Sequence, residues 1–206
     1  MAIKVAHFFS YVFHPIFIPF YGLLLLFNTG LYISFTLSEE AISLIYLIVF
    51  FNTILVPSVL MYLFYKMGII NSLMVEERRQ RFILYITMIV FYYSTYLLFQ
   101  KFSIPLILSI FVLGASGALC ILFLTNFFIK ISAHMVGIGG VFGMLYATSE
   151  LFLINYSNFL IPTILIAGII GYSRLRLNAH KPIEIYLGLG IGFMAEYLTV
   201  YSVLLT

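Results

Sequence analysis

Ser173-Arg174-Leu-Arg176-Leu-Asn-Ala-His180-Lys181-Pro182-Ile-Glu184 separates two apolar runs, roughly residues 159–172 and 185–205. An arginine, a histidine and a carboxylate are thereby confined to a short polar segment at the mouth of a glycine-rich run. Runs of about 20 apolar residues cross a bilayer core about 30 Å thick. The pattern repeats outward along the chain, at roughly 10–35, 41–67, 83–99, 104–129 and 133–152, for seven apolar stretches in all. Those at 83–99 and 159–172 are short, so six or seven spans are expected, with any remaining piece re-entrant or interfacial. The expected fold class is all-α: a polytopic transmembrane helix bundle forming one domain over 1–206. A β-barrel would show short alternating segments instead of long unbroken runs.

Composition agrees with that pattern. Hydrophobic residues make up 64% of the chain and charged residues only 8%, against about 25% charged in a soluble domain. The net charge of +3 is too small and scattered for nucleic acid. Cys120 is the single cysteine, which excludes an intrachain disulfide. Lys4 precedes a long apolar run broken by His14, Pro15 and Pro19, with no small-x-small cleavage site. That argues against a cleavable signal and for an integral multi-pass protein, expected in the plasma (inner) membrane.

Span parity locates the cations. The loops at 66–81, 130–134 and 173–184 are separated by two spans each, so all three are expected on one side. They hold Lys66, Arg78, Arg79, Arg81, Lys130, Arg174, Arg176 and Lys181, eight of the ten basic residues. Cytoplasmic loops are rich in Lys and Arg, which explains such a bias without any site. It does not explain two histidines and a glutamate in the same loops. Small residues recur four apart at Gly114/Ala118, Ala133/Gly137, Gly139/Gly143/Ala147 and Gly188/Gly192. That spacing lets helices pack closely in lipid.

Local chemistry sharpens the reading. Pro182 suits the first turn of a helix, where its missing N–H costs nothing. Glu184 then falls in the first turn, where the helix dipole favours a carboxylate, with His180 in reach. A carboxylate on one ring nitrogen fixes the tautomer and leaves the other as nucleophile or base. Arg174 has the planar fork that grips phosphate oxygens. In Lys130-Ile-Ser132-Ala133-His134, Ser132 is a candidate N-cap, and free amides at a helix start bind anions. His134, in the first turn, is placed to protonate a departing alkoxide. His7 and His14 read as interfacial or packing histidines. Glu196 is expected to face the bundle interior in a structural hydrogen bond, protonated or paired, and Glu150 lies near a span end.

These residues resemble a known family. Ser-Arg-x5-His-x3-Glu is similar to the last signature of the type 2 phosphatidic acid phosphatase (lipid phosphate phosphatase) superfamily, Ser-Arg-x5-His-x3-Asp. Ser132-Ala133-His134 resembles its middle signature, Pro-Ser-Gly-His. The first, Lys-x6-Arg-Pro, would fall at 74–82. The chain departs from the pattern at Glu184 for Asp, Ala133 for Gly, Ile131 for Pro, Met74 for Lys and Phe82 for Pro. The resemblance implies a metal-independent phosphatase with no cofactor, acting on lipid phosphates or diphosphates. His180 would be the nucleophile, Glu184 its orienting group and His134 the acid and base. Arg174, Ser132, the Ala133 amide and Arg78 or Arg81 would hold the phosphoryl oxygens. The departures leave open a weak or silent lipid-phosphate-binding protein. An anion transporter is disfavoured, because the polar clusters sit at span ends and not at mid-membrane.

Overall fold

The computed structural model describes residues 2–73, 75 and 77–204. Met74 and Glu76, both in the loop assigned to the first signature, lie outside the described residues. Helices α1 (Ala2–Val12) and α2 (Ile18–Asn28) flank a 3-10 turn at Pro15–Phe17, and the short α3 (Ile33–Thr36) follows. α4 (Glu39–Val49) and α5 (Val56–Lys66) join through a π-helical stretch, Phe50–Leu55. The chain continues through α6 (Arg81–Lys101), α7 (Leu106–Thr125), α8 (Ala133–Leu151), α9 (Ser157–Arg176) and α10 (Pro182–Leu204).

Among the described residues, six stretches are long and apolar enough to cross a membrane: Ile3–Asn28, Glu39–Lys66, α6, α7, α9 and α10. The protein is an all-α, multi-pass membrane protein, as its apolar runs require. The short run at 159–172 proves to be the middle of a helix of 20 residues, and that at 83–99 of one of 21. α8 is the exception. It is rich in glycine and carries polar residues, yet it holds more buried positions than any other helix. Wrapped by protein, it has little need of lipid-facing apolar side chains.

The first apolar stretch begins earlier than position 10 and is broken in the middle. Pro15 supplies no N–H to a continuing helix and forces the preceding residue out of helical geometry. His14 accordingly has φ −61° and ψ 138°. Helix starts elsewhere follow local chemistry. Ser38 Oγ accepts from Ala41 N–H at 3.2 Å, ahead of Glu39 and Glu40 in the first turn of α4. Pro182 occupies the first position of α10 with Glu184 behind it.

One contact positions everything discussed below. α8 and α10 pack backbone to backbone along their glycines. A Cβ on Gly192 would overlap the Val136 carbonyl, and one on Gly139 or Gly143 would overlap the carbonyls of Leu189 or Phe193. A Cβ on Gly188 would lie 2.9 Å from the Ser132 carbonyl oxygen. The small-residue stripes are therefore a packing device, and they hold the starts of the two helices together. Ser132 N–H donates to the Glu184 carbonyl at 3.2 Å across that junction.

Candidate functional site

Glu184 is the anchor. Its Oε2 accepts from His180 Nδ1 at 2.8 Å and from the Lys181 backbone N–H at 3.2 Å. His180 Nδ1 also lies 3.1 Å from the Lys130 carbonyl oxygen. Both neighbours of Nδ1 only accept, so Nδ1 carries the proton and Nε2 keeps its lone pair. The His180 and Glu184 side chains are 1% and 11% exposed. Burial lowers the His180 pKa below the ordinary histidine value. The Glu184 carboxylate opposes that shift, and the guanidiniums of Arg81 and Arg174 add to it.

His134 stands in the first turn of α8, buried. Its Nε2 lies 3.1 Å from the Ser10 carbonyl. A carbonyl only accepts, so Nε2 bears the hydrogen and Nδ1 is the nitrogen left to exchange protons. Ser132 occupies the N-cap position, but its hydroxyl makes no capping bond. That hydroxyl is fully buried without a hydrogen-bond partner. The N–H groups of Ala133, His134 and Met135 have no intrahelical acceptor, as at any helix start. A bound anion would satisfy such donors.

The arginines divide. Arg174, in the last turn of α9, donates from Nη1 to Ser10 Oγ at 3.3 Å and is within electrostatic reach of His14, His134 and His180. Arg81 is buried at the first position of α6, an end where the dipole disfavours a cation. Two carbonyls offset this, Val75 at 3.0 Å from Nε and Ile131 at 3.3 Å from Nη1. Arg78 is exposed, and its Nη1 donates to the Phe128 carbonyl at 3.1 Å. Asn126 Nδ2 returns a bond to the Arg78 carbonyl at 2.8 Å. Arg78 thus braces the loop after α7, and Arg79 is exposed. Of the three, Arg81 is the one brought to the histidines.

All of His134, His180, Glu184, Arg174 and Arg81 therefore meet at one end of the bundle, as span parity requires. Sequence patterns did not place Ser10 or His14 beside these groups. The His14 ring, read from the sequence as an interfacial or packing group, lies 5.5 Å from that of His134, at an interplanar angle of 80°. The available signal was His14-Pro15, a polar break inside an apolar run. His7 does behave as expected, being exposed and stacked on Tyr11.

Glu196 and Glu150 lie away from this cluster. Glu196 faces the interior at 1% exposure, but its Oε2 lacks the expected hydrogen bond. Glu150 is exposed and accepts from Tyr197 and Tyr201 at 3.1 and 2.8 Å. An apolar cavity of about 60 Å³ begins beside Pro15 and Ala133 and reaches Tyr92 and Glu196. Set against protein-family models, curated proteins and solved structures, the chain gives no match.

Proposed function

We propose that this protein is a membrane-embedded, metal-independent phosphatase of lipid phosphates or lipid diphosphates, acting through a phosphohistidine on His180. The observation that carries the proposal is the state of His180. Its Nδ1 proton is held by Glu184 and the Lys130 carbonyl, leaving a neutral, buried Nε2 beside two guanidiniums. The resemblance of Ser173–Glu184 to a phosphatase signature points the same way. The site's place at helix ends suits a headgroup lying at the membrane surface. The inner membrane is the location this reading favours.

The chemistry runs in two displacements. The Nε2 lone pair attacks phosphorus while the P–O bond to the lipid breaks. Arg174, Arg81 and the amides at the start of α8 stabilise charge on the phosphoryl oxygens. The leaving oxygen takes a proton from His134 Nδ1, which a bound phosphate dianion keeps protonated. Water then attacks the phosphohistidine, giving its proton to His134 Nδ1 as the P–N bond breaks. Glu184 stabilises the cationic His180 in between.

A second reading has its own support. His134 Nε2 is committed to the Ser10 carbonyl, and Ser132 Oγ makes no bond at the cap. A site so arranged could hold a lipid phosphate without turning it over. One assay separates the two. Purified protein in detergent with a chelator is given phosphatidic acid, phosphatidylglycerol phosphate and polyprenyl diphosphate. Phosphate release that disappears in His180→Ala supports the phosphatase. Saturable lipid-phosphate binding without release supports the silent binder, and neither binding nor release defeats both.

A further inference from the structure

We propose that His14 is a third imidazole of the site and donates its Nε2 hydrogen to a phosphoryl oxygen. The inference rests on the phosphate-site reading above and extends it to the N-terminal segment, which no part of the resemblance covers.

The proposal is built from the corner at residues 10–17. Pro15 holds His14 in extended backbone, with φ −61° and ψ 138°. That geometry lets the ring fold back over the following turn, where Ile16 N–H donates to Nδ1 at 3.3 Å. Nδ1 is therefore an acceptor, and in the neutral ring the hydrogen sits on Nε2. The tautomer is the reverse of His180's. His180 offers a lone pair at Nε2, and His14 offers an N–H there.

The corner is tied to the site by three further contacts. The Ser10 carbonyl accepts from His134 Nε2 at 3.1 Å, and Ser10 Oγ accepts from Arg174 Nη1 at 3.3 Å. The His14 ring lies against the His134 ring at 5.5 Å. Arg174 is close enough to bear electrostatically on His14 as it does on His134 and His180. A phosphoryl group held by Arg174 and His134 would thus lie next to residues 10–14. A neutral donor there adds a hydrogen bond to an oxyanion without adding a charge that would need its own counterion.

The helix break now has a purpose. By length and composition Ile3–Asn28 counts as one span. Its corner nevertheless lies with the starts of α6, α8 and α10 and the end of α9. The break brings two polar residues to the end of the bundle where the other functional groups gather.

Three variants test this in the full-length protein in detergent. Asparagine can still cap Ile16 N–H as Nδ1 does but does not extend to the Nε2 position. Glutamine places an amide N–H near Nε2. His14→Gln is therefore expected to stay within a few-fold of wild type. His14→Asn and His14→Ala are expected to weaken orthovanadate binding, and to raise KM for phosphatidic acid, by about 10- to 100-fold, as for a lost bond to a charged group. His7→Ala, on the outer face of α1, serves as the unaffected control, and monodisperse elution shows that each variant is folded. Equal behaviour of His14→Asn and His14→Gln, or wild-type behaviour of His14→Ala, overturns the role of His14. If wild type itself neither binds orthovanadate nor releases phosphate, the phosphate site falls and this inference with it.

Discussion

Two carboxylates, one near each end of the α8–α10 pair, sit in opposite surroundings. Glu150 is exposed and receives two tyrosine hydroxyls from α10. Around it Tyr146, Tyr197 and Tyr201 pack in tilted pairs at ring separations of 6.0 and 4.5 Å. The cluster links two helices and is hydrogen-bonded. Glu184 is buried, bonded to an imidazole and a backbone amide, and set among guanidiniums and helix starts. Glu150 joins the hydroxyls of a tyrosine cluster, whereas Glu184 holds an imidazole ring that can lose or gain a proton. The same residue type thus occupies an exposed tyrosine cluster at one end and a buried imidazole cluster at the other.

The contrast breaks first at His180. His180→Ala is expected to abolish phosphate release, a loss of at least about 10³-fold, while gel filtration stays that of wild type. Glu184→Gln should lower kcat by about 10²-fold or more, since a neutral amide neither stabilises the imidazolium nor fixes the tautomer as firmly. The matching change at the other end, Glu150→Gln, should leave kcat within about twofold. If the two glutamine variants lose activity alike, the division between the two ends is wrong.

Packing makes a separate prediction. Gly192→Leu would push α10 off the Val136 carbonyl and pull apart the junction of Ser132 with Glu184. Overpacking of this kind costs about 1–3 kcal/mol, and kcat should fall although no reacting group has changed. Thermal unfolding and phosphate release measured on one sample test both halves.

The smallest expected effect is on pH dependence. Burial, Arg81 and Arg174 disfavour the His180 imidazolium, and Glu184 favours it. Its folded pKa is lowered, so the ring stays neutral as pH falls below the ordinary histidine value of about 6.5. The acid limb of kcat/KM should lie below that value. Removing a guanidinium in Arg174→Gln should move the limb up, and Glu184→Gln should move it down. Movement of both limbs in one direction would contradict the electrostatic account.

Much of this was legible in the sequence, for identifiable reasons. Apolar runs report membrane helices because lipid leaves backbone polar groups no partner but each other. Span parity grouped the loops at 66–81, 130–134 and 173–184 without any knowledge of contacts. Pro182 and Glu184 gave the start of α10 because capping and dipole effects are local. The meeting of the N-terminal corner with His134 and Arg174 was not legible, because the contacts span 124 residues in Ser10–His134 and 164 in Ser10–Arg174. No local pattern records such contacts. The choice of Arg81 over Arg78 was likewise invisible. Both belong to one charged loop, and only the fold buries one and leaves the other bracing Phe128. The N-cap role of Ser132 was right in position and wrong in its bond, since the junction with Glu184 engages its backbone instead.

The central claim is that His180 Nε2 takes a phosphoryl group from a lipid. Brief incubation with a radiolabelled lipid phosphate, followed by an alkaline quench, measures this directly. The account predicts a protein-bound, acid-labile label that maps to residue 180, is absent in His180→Ala and accumulates in His134→Ala given a substrate with a good leaving group. Phosphate release that proceeds undiminished in His180→Ala, or a label found on any other residue, would contradict it.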